Sequence, residues 1–499
     1  MKINKHLNKT RITILLVCLF FAFLIGKALF VRPFIGMADN GDFFREMNNS
    51  GLYYLTDNFN DRHFGYFNRL YGIRQYRVDN GTIIITSVSF LIRIAVAVNK
   101  IFISSSIFDI RILAAIYFLL FIFAFYSIIS DISRLIKLPV IITAVSAIVI
   151  FGDIGYMAYF NSFYGEPASF VFFFLLLAFL LRLLGKQRLT IINLLGFLFS
   201  ALIFVTAKQQ NAPVTVVILI LSIRLSALRK DKLWRLVILC FSVIIIGSSA
   251  FVYFSTSKDI AHINQYHSLT RGVLENSADI QKDTEEVGLD SKYSMLQGTT
   301  YYDRYSLEAP ESDQMNDEFY SKYGIPSIMR YYLNHPDRLN EKLNIAAKNS
   351  FTIRPEVLGN FEKSEGKSYV SKASTFSLWS TMKEKIFPHS FKFILLFYFI
   401  YFGGLSKLYI DNYKRRDTRA MIRLEAFGAV ALMGMMQFGI SSIGAGDADL
   451  AKHLFLFNVC YDFMFLSELV FIEDFIYSKL RLKERVGEII WKQKRLISG

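Results

Sequence analysis

The chain has 499 residues, of which 53% are hydrophobic and 16% aromatic, and its mean hydropathy is +0.35. Repeated apolar runs of about 18–22 residues exclude a soluble globular protein and mark a polytopic helical membrane protein. The formal net charge of +15 is no nucleic-acid footprint, because the basic residues cluster in short segments between apolar runs, where positive-inside bias explains them.

The basic N-terminus, with Lys2, Lys5, Lys9 and Arg11, is expected in the cytoplasm, so Ile12–Val31 crosses outward as a retained signal anchor without a clear cleavage site. A polar stretch, GMADNGDFFREMNNSG (Gly36–Gly51), follows almost at once. It places Asp39 and Asp42 where the first span leaves the hydrocarbon, just ahead of an amphipathic segment, Phe43–Leu52. Carboxylates held at a membrane surface cost solvation energy and mark a candidate site.

The next apolar run, Thr82–Ile103, contains Arg93 and Asn99; the run after it, Ile107–Ile129, is cleaner. Parity decides between them. If both crossed, every later basic cluster would lie outside. If Thr82–Ile103 is instead an interfacial amphipathic helix, all of them lie inside. The remaining spans are then Pro139–Phe151, Ala168–Leu184, Leu189–Thr206, Val214–Leu228, Leu236–Phe254, Phe391–Ile410, Met421–Ile443 and Leu454–Tyr477. Inner loops carry Lys186 and Arg188, then Arg229, Lys230, Lys232 and Arg235, then Lys414, Arg415, Arg416 and Arg419. The expected fold is an all-α polytopic membrane protein with about ten transmembrane helices, interfacial helices and a mainly helical extracytoplasmic insert, both termini being cytoplasmic. Three parts follow: a membrane module over 1–254 with its first external loop at 32–106, an extracytoplasmic domain over 255–390, and a C-terminal membrane module over 391–499. The insert holds 19 Asp/Glu against 16 Lys/Arg, a balance that suits a translocated domain. Cys18, Cys240 and Cys460 all lie in apolar runs, so no disulfide framework supports it. The Cys-poor, Lys/Ile/Asn-rich composition fits a bacterial plasma membrane.

Unusual polar residues gather in the external segments. Asn161, Tyr164 and Glu166 close YMAYFNSFYGEP behind Asp153; AKQQNAP supplies Lys208, Gln209 and Gln210; GAGDADLAKHLFLFN supplies Asp447, Asp449, Lys452 and His453. Acids and bases converging on one face suit a charged headgroup, with a lipid-linked phosphate the leading candidate. Bland roles compete. Lys208 alone has the ordinary alternative of snorkelling. Asp42 has the alternative of capping the amphipathic helix, and Asp447-Ala-Asp449 is either a D-x-D cation pair, for Mg or Mn, or a helix cap. His267 and Arg271 have the alternative of ordinary loop residues. There is no P-loop, G-x-S-x-G or HExxH.

The first span, acidic loop and amphipathic helix ending in REMNNSG (Arg45–Gly51) resemble the start of the GT-C superfamily of polyprenyl-phosphate-sugar-dependent glycosyltransferases. A second interfacial helix and FDIR (Phe108–Arg111) fit the slots that follow in that superfamily. ADNGD, FNSFYGEP, AKQQNAP, LQGTTYY (Leu296–Tyr302) and GDADLAKHLFLFN are similar to the WsfD-type group of bacterial hexose transferases. One departure is the usual Asp-Glu pair, here Asp39-Asn40. The resemblance implies a polyprenyl-phosphate-hexose donor, a cell-surface glycan acceptor and inversion at the anomeric carbon. Asp39, alternatively Asp42, is then the expected general base. Lys208, Lys452, His453 and Arg111 would bind the phosphate, and Asn161, Tyr164, Glu166, Gln209, Gln210 and His267 the sugar or acceptor. No cofactor beyond that optional cation and no nucleic-acid partner is expected. A ligase or polymerase acting on lipid-linked oligosaccharides, and a lipid-linked sugar transporter or flippase, are the rival readings.

Overall fold

The computed structural model of the chain describes residues 2–75, 86–185, 188–255, 258–303, 307–444, 446, 447 and 449–497, without the side chains of 2–8, 259 and 483–497. Residues 82–85 of the expected interfacial helix and Lys186 of the inner loops fall outside these, as do the side chains of Lys2 and Lys5. In chain order the membrane module begins with α1 (Lys2–Phe30) and the short α2 (Phe43–Ser50), then α3 (Ser87–Phe102), α4 (Arg111–Ile132), α5 (Val140–Phe151), α6 (Glu166–Leu184), α7 (Ile191–Thr206), α8 (Thr215–Ser226) and α9 (Lys232–Phe254). The insert contributes α10 (Ile280–Glu286), α11 (Ile325–Asn334), α12 (Pro336–Asn349) and α13 (Leu378–Ile386), and the chain closes with α14 (Phe391–Lys414), α15 (Thr418–Gly444) and α16 (Phe455–Ile497). Polar caps start several helices where the chain returns to water. Thr190, Asp231 and Ser390 each accept a backbone N–H from the first turn that follows, satisfying donors that have no partner within the helix.

Among the described residues, seven helices are long and apolar enough to cross a membrane: the apolar part of α1, then α4, α6, α9, α14, α15 and the first part of α16. An eighth span forms if α5 and the segment Ile154–Phe160, which meet at 53°, are counted together. The shorter α7 and α8 also run from end to end of the bundle, so with them the expected count of about ten holds among the described residues. The expected spans Leu189–Thr206 and Val214–Leu228 shrink to α7 and α8, of 16 and 12 residues, about 24 Å and 18 Å long at 1.5 Å per residue. Between them Gln209–Val214 winds as a 3-10 turn containing Pro213. Arg188 before α7 and Arg224 late in α8 lie at one end of the bundle, and Lys208 between the two helices lies at the other on Glu166, so both helices keep the alternation of ends.

That alternation is visible in the contacts. At one end of the bundle Asp131 after α4 pairs with Arg188 after α6 (2.9 Å). Asp474 of α16 accepts the backbone N–H groups of Lys137 and Leu138 ahead of α5, and Arg224 of α8 grips Glu425 of α15 through two bonds. These are the segments expected inside. The other end gathers the first loop, the stretch before α6, the turn before α8 and the approach to α16. Both ends of α3 belong there: Ser87 donates to Ile203 O near the end of α7, and Asn99 accepts from Asp109 N just before α4. A helix anchored at both ends to one end of the bundle does not cross it, as the parity argument requires.

The first loop contains three short antiparallel strands in the order β1 (Leu52–Tyr53), β2 (Leu70–Ile73), β3 (Ile107–Asp109), with Leu52 opposite Ile73 and Leu70 opposite Asp109. The insert divides. Tyr266, Leu269, Val273, Tyr293, Phe319 and Tyr332 belong to a small core of their own, whereas Ala346, Phe351, Ile353, Leu358 and Trp379 join the core of the bundle. Residues 359–361 run between two parts of the first loop: Ala38 N donates to Gly359 O (3.0 Å), Gly359 N to Phe64 O (2.7 Å) and Phe67 N to Phe361 O (3.0 Å). Glycine is needed there, because a Cβ on Gly359 would run into the carbonyl of Gly65.

α13 enters the bundle with a charge. Lys383 and Asp462, both fully buried, pair at 2.6 Å. Asn458, Tyr156 and Trp379 complete the hydrogen bonding of that pair, as a buried ion pair requires.

Two outcomes are expected. In a chain lacking Cys18, Cys240 and Cys460, single cysteines at Ser105 and Lys230 should react with an impermeant maleimide from opposite sides of the membrane. Labelling of both from one side would overturn the alternation. Burial pushes the Glu46 carboxyl up from 4.5 to about 7, opposed by its hydrogen bonds from Ser89 and Thr86. The raised folded value means its contribution to stability is complete below pH 4.5 and is lost as pH rises through about 7. Melting curves in detergent should therefore fall more steeply over that window in the wild type than in Glu46→Gln.

Candidate functional site

The capping bond at the start of α2 is made by Asp39 and not by Asp42. Asp39 is 2% exposed. Its Oδ1 accepts the N–H groups of Gly41 (2.8 Å) and Phe43 (3.0 Å), and its Oδ2 accepts the Tyr54 hydroxyl (2.7 Å) with His63 Nδ1 at 3.3 Å. Asp39 therefore caps α2. Asp42 stands at the N-cap position but makes no capping bond, its carboxylate being turned to Lys452 and Arg45 instead. Its side chain keeps 29% exposure and pairs with Lys452 and, at 3.1 Å, with Arg45. The argument that Asp42 is the helix cap fails on this geometry.

Lys452 is the centre of the cluster. It is 4% exposed, pairs with Asp42, lies 3.7 Å from Asp449 and sits over the Tyr164 ring at 5.1 Å. Burial pushes its pKa down, but Asp42, Asp449 and Glu166 outweigh that and raise it. Burial likewise pushes Asp42 up, while Lys452 and Arg45 more than offset this and hold it well below the usual carboxylate range. The first loop closes on the Asp449 turn through Asn40, whose amide donates to Asp449, and Tyr164 accepts the Asn40 N–H (2.8 Å). A second pair lies beside it: Lys208 on Glu166 at 2.6 Å, the carboxylate buried and the amine partly open. Gly165 permits this approach, since a Cβ there would meet the Lys208 side chain and, at 2.9 Å, the Ala207 carbonyl.

Other expected site residues have different work. His453 is pushed down to about 4, first by burial and then by Lys208 and Lys452. It is neutral near pH 7, so it offers hydrogen bonds but no positive charge to a phosphate. Its backbone carbonyl accepts from Gln210 (2.9 Å) and Ser441 (3.0 Å). Gln209 donates to Tyr253 O (3.1 Å). Asn161 is fully buried and donates to Ile35 O (2.8 Å) and Leu29 O (3.2 Å), so it supports the first loop. Arg111 is taken up by Asp109 and lies over Phe34 (4.5 Å), beside Arg69, on the flank of α4. It shares none of the bonds of the Lys452 cluster.

The insert reaches the same turn. Asp447 pairs with Arg271 at 2.6 Å, while Asp449 faces Asn40 and Lys452, so the two carboxylates of D-A-D are committed to different partners. His267 is pushed down to about 4 by burial and then Arg271, and its Nε2 accepts the Tyr301 N–H (3.0 Å). Tyr302 follows, exposed, with Arg45, Asp42, Asp449 and Lys452 all acting on its hydroxyl. Sequence reasoning missed Asn40, Arg45, Tyr54 and Tyr302 as site residues. Each lies within or close to a stretch already singled out, but only the fold shows which neighbour it meets.

The fold and site define a polytopic helical membrane protein with paired carboxylates and lysines at one end of its bundle. Residues 1–493 match the family model of the YfdI N-terminal transmembrane domain, and the chain belongs to that family. No match to a curated protein or to a solved structure was found.

Removing the Asp39 carboxylate should unfasten α2. Asp39→Ala is expected to cost about 1–3 kcal/mol through the lost cap and the donors left unpaired, and Tyr54→Phe about 1 kcal/mol. Thermal unfolding of the purified chain measures both.

Proposed function

We propose that the protein is an integral membrane glycosyltransferase of the bacterial plasma membrane, with both termini cytoplasmic. It moves a hexose from a polyprenyl-phosphate donor to a cell-surface glycan on the outer face, in the manner of the GT-C superfamily and its WsfD-type group. The observation that carries this reading is Lys452, a buried cation shared by Asp42 and Asp449 where the first loop meets the approach to the last span. Lys208 on Glu166 adds a second cation nearby. A lipid-linked phosphate arriving at the bundle end meets two lysines whose present partners are carboxylates it can replace. An external transferase has no nucleotide sugar to draw on, so a donor supplied within the bilayer fits the location.

In the proposed step the acceptor oxygen attacks the anomeric carbon and the bond from that carbon to the phosphate oxygen breaks. The electron pair leaves with the polyprenyl phosphate, and the acceptor proton passes to a carboxylate. Asp42 is the better base, because it is the more exposed of the two and Asp39 is consumed by three donors. Lys452 holds Asp42 strongly acidic in the resting protein. A phosphate that draws Lys452 away restores its proton affinity, so the base becomes effective when the donor is bound. Lys208 and Lys452 neutralise the leaving phosphate, and His453 donates a hydrogen bond. Asn40 and Tyr164 hold the turn on which Lys452 sits. A divalent cation, Mg or Mn, is an optional addition at Asp449, and no step depends on it.

The transporter reading draws on one observation, the 53° break between α5 and the segment after it. Transporters of that kind pair broken helices in matched halves, and among the described residues this break has no counterpart.

Asp42→Asn in purified protein, supplied with a polyprenyl-phosphate hexose and an acceptor glycan, should lose about 10²–10⁴-fold in turnover with little change in donor KM. Full turnover by Asp42→Asn with loss in Asp39→Asn would move the base to Asp39.

A further inference from the structure

The insert holds a second cluster of ligating side chains, remote in sequence from the residues around Lys452. Asp283 and Glu286 stand one turn apart on α10, and His335 marks the junction of α11 and α12. Their ligand atoms lie within 4.8 Å of one another. His335 Nε2 is 2.8 and 2.9 Å from the two Glu286 oxygens.

An ion pair alone does not account for this arrangement. The Glu286 and His335 side chains are about 30% exposed (28% and 32%), and pairs that open to water stabilise little. Such a pair also makes no use of Asp283, which is only 9% exposed. Both donors that reach Asp283, the Ser277 hydroxyl (2.6 Å) and the Tyr331 hydroxyl (2.8 Å), go to Oδ2. Among the described residues Oδ1 accepts no hydrogen bond, so one oxygen of a mostly buried carboxylate remains free to take a ligand. The two hydroxyls fix the carboxylate plane as outer partners of metal ligands do. The His335 ring is oriented by stacking on Tyr331 at 4.5 Å.

We propose that Asp283, Glu286 and His335 form a binding site for a divalent transition-metal ion, with zinc the best chemical match. One imidazole nitrogen and two carboxylate oxygens suit Zn²⁺, whose remaining position is filled by water, and suit Ca²⁺ or Mg²⁺ less because those ions prefer oxygen alone. The site joins α10 to the α11–α12 junction across about fifty residues of sequence. It staples an insert whose small core has no disulfide, the cysteines of the chain all lying in the membrane helices. This inference is independent of the reaction proposed above.

The full chain, purified in detergent and stripped with a chelator, is titrated with ZnCl₂ while its melting temperature is followed. Metal bound by the folded state alone raises that temperature. The wild type should gain several degrees and hold one zinc per chain by elemental analysis. Asp283→Asn, which keeps the Ser277 and Tyr331 bonds, and His335→Gln should melt like the stripped wild type and gain nothing. No shift in the wild type, or an equal shift in both variants, overturns the proposal.

Discussion

A buried cation must be surrounded by its counter-charges, and Lys452 is the place where this requirement organises the molecule. At 4% exposure it needs Asp42 from the first loop and Asp449 from its own turn. Removing one partner of such a pair typically costs about 3–5 kcal/mol. The same rule explains Lys383 and Asp462, where the insert enters the bundle and every polar atom of the pair meets a partner. These two buried lysines thus tie together segments 410 and 79 residues apart. One defines the candidate site, and the other fixes the helix that closes the insert.

The first loop would be a weak platform by itself, since its strands are two to four residues long. It is made firm from outside. Residues 359–361 thread between its two halves, Asn161 bonds its backbone from below, and Asp39 spends its carboxylate on the start of α2. Support of this kind leaves Asp42 free of capping duty and paired with Lys452. In the proposed reaction a phosphate would take the place of Asp42 as counter-charge to Lys452, while these other bonds hold the backbone of the loop.

Much of the architecture was legible. Apolar length and the positions of Arg and Lys identified the membrane helices, and parity identified Thr82–Ile103 as lying at one end, where Ser87 and Asn99 anchor α3. The external segments that sequence reading grouped as one face do meet. Less was legible about roles. Arg111 reads as a phosphate ligand, but Asp109, two residues before it, takes its guanidinium. His453 reads as a cation, but burial, and then two lysines, push its pKa down to about 4. Asp447 and Asp449 read as a pair, yet Arg271 and Asn40 draw them apart. Asp109 and Lys452 are near neighbours in sequence whose orientation only the fold sets, whereas Lys208, Arg271 and Asn40 come from distant segments.

Hydrophobicity and charge act over whole segments, so the sequence alone determined that this is a helical membrane protein, which loops share an end, and where acidic and basic residues concentrate. Pairing is a matter of ångströms between distant segments. Only the tertiary structure decided that Asp39 caps α2 while Asp42 faces Lys452, that α7 and α8 are short and joined by a 3-10 turn, and that part of the insert belongs to the bundle. A capping bond or a buried ion pair depends on which side chain reaches a donor first, and that is settled when the segments pack.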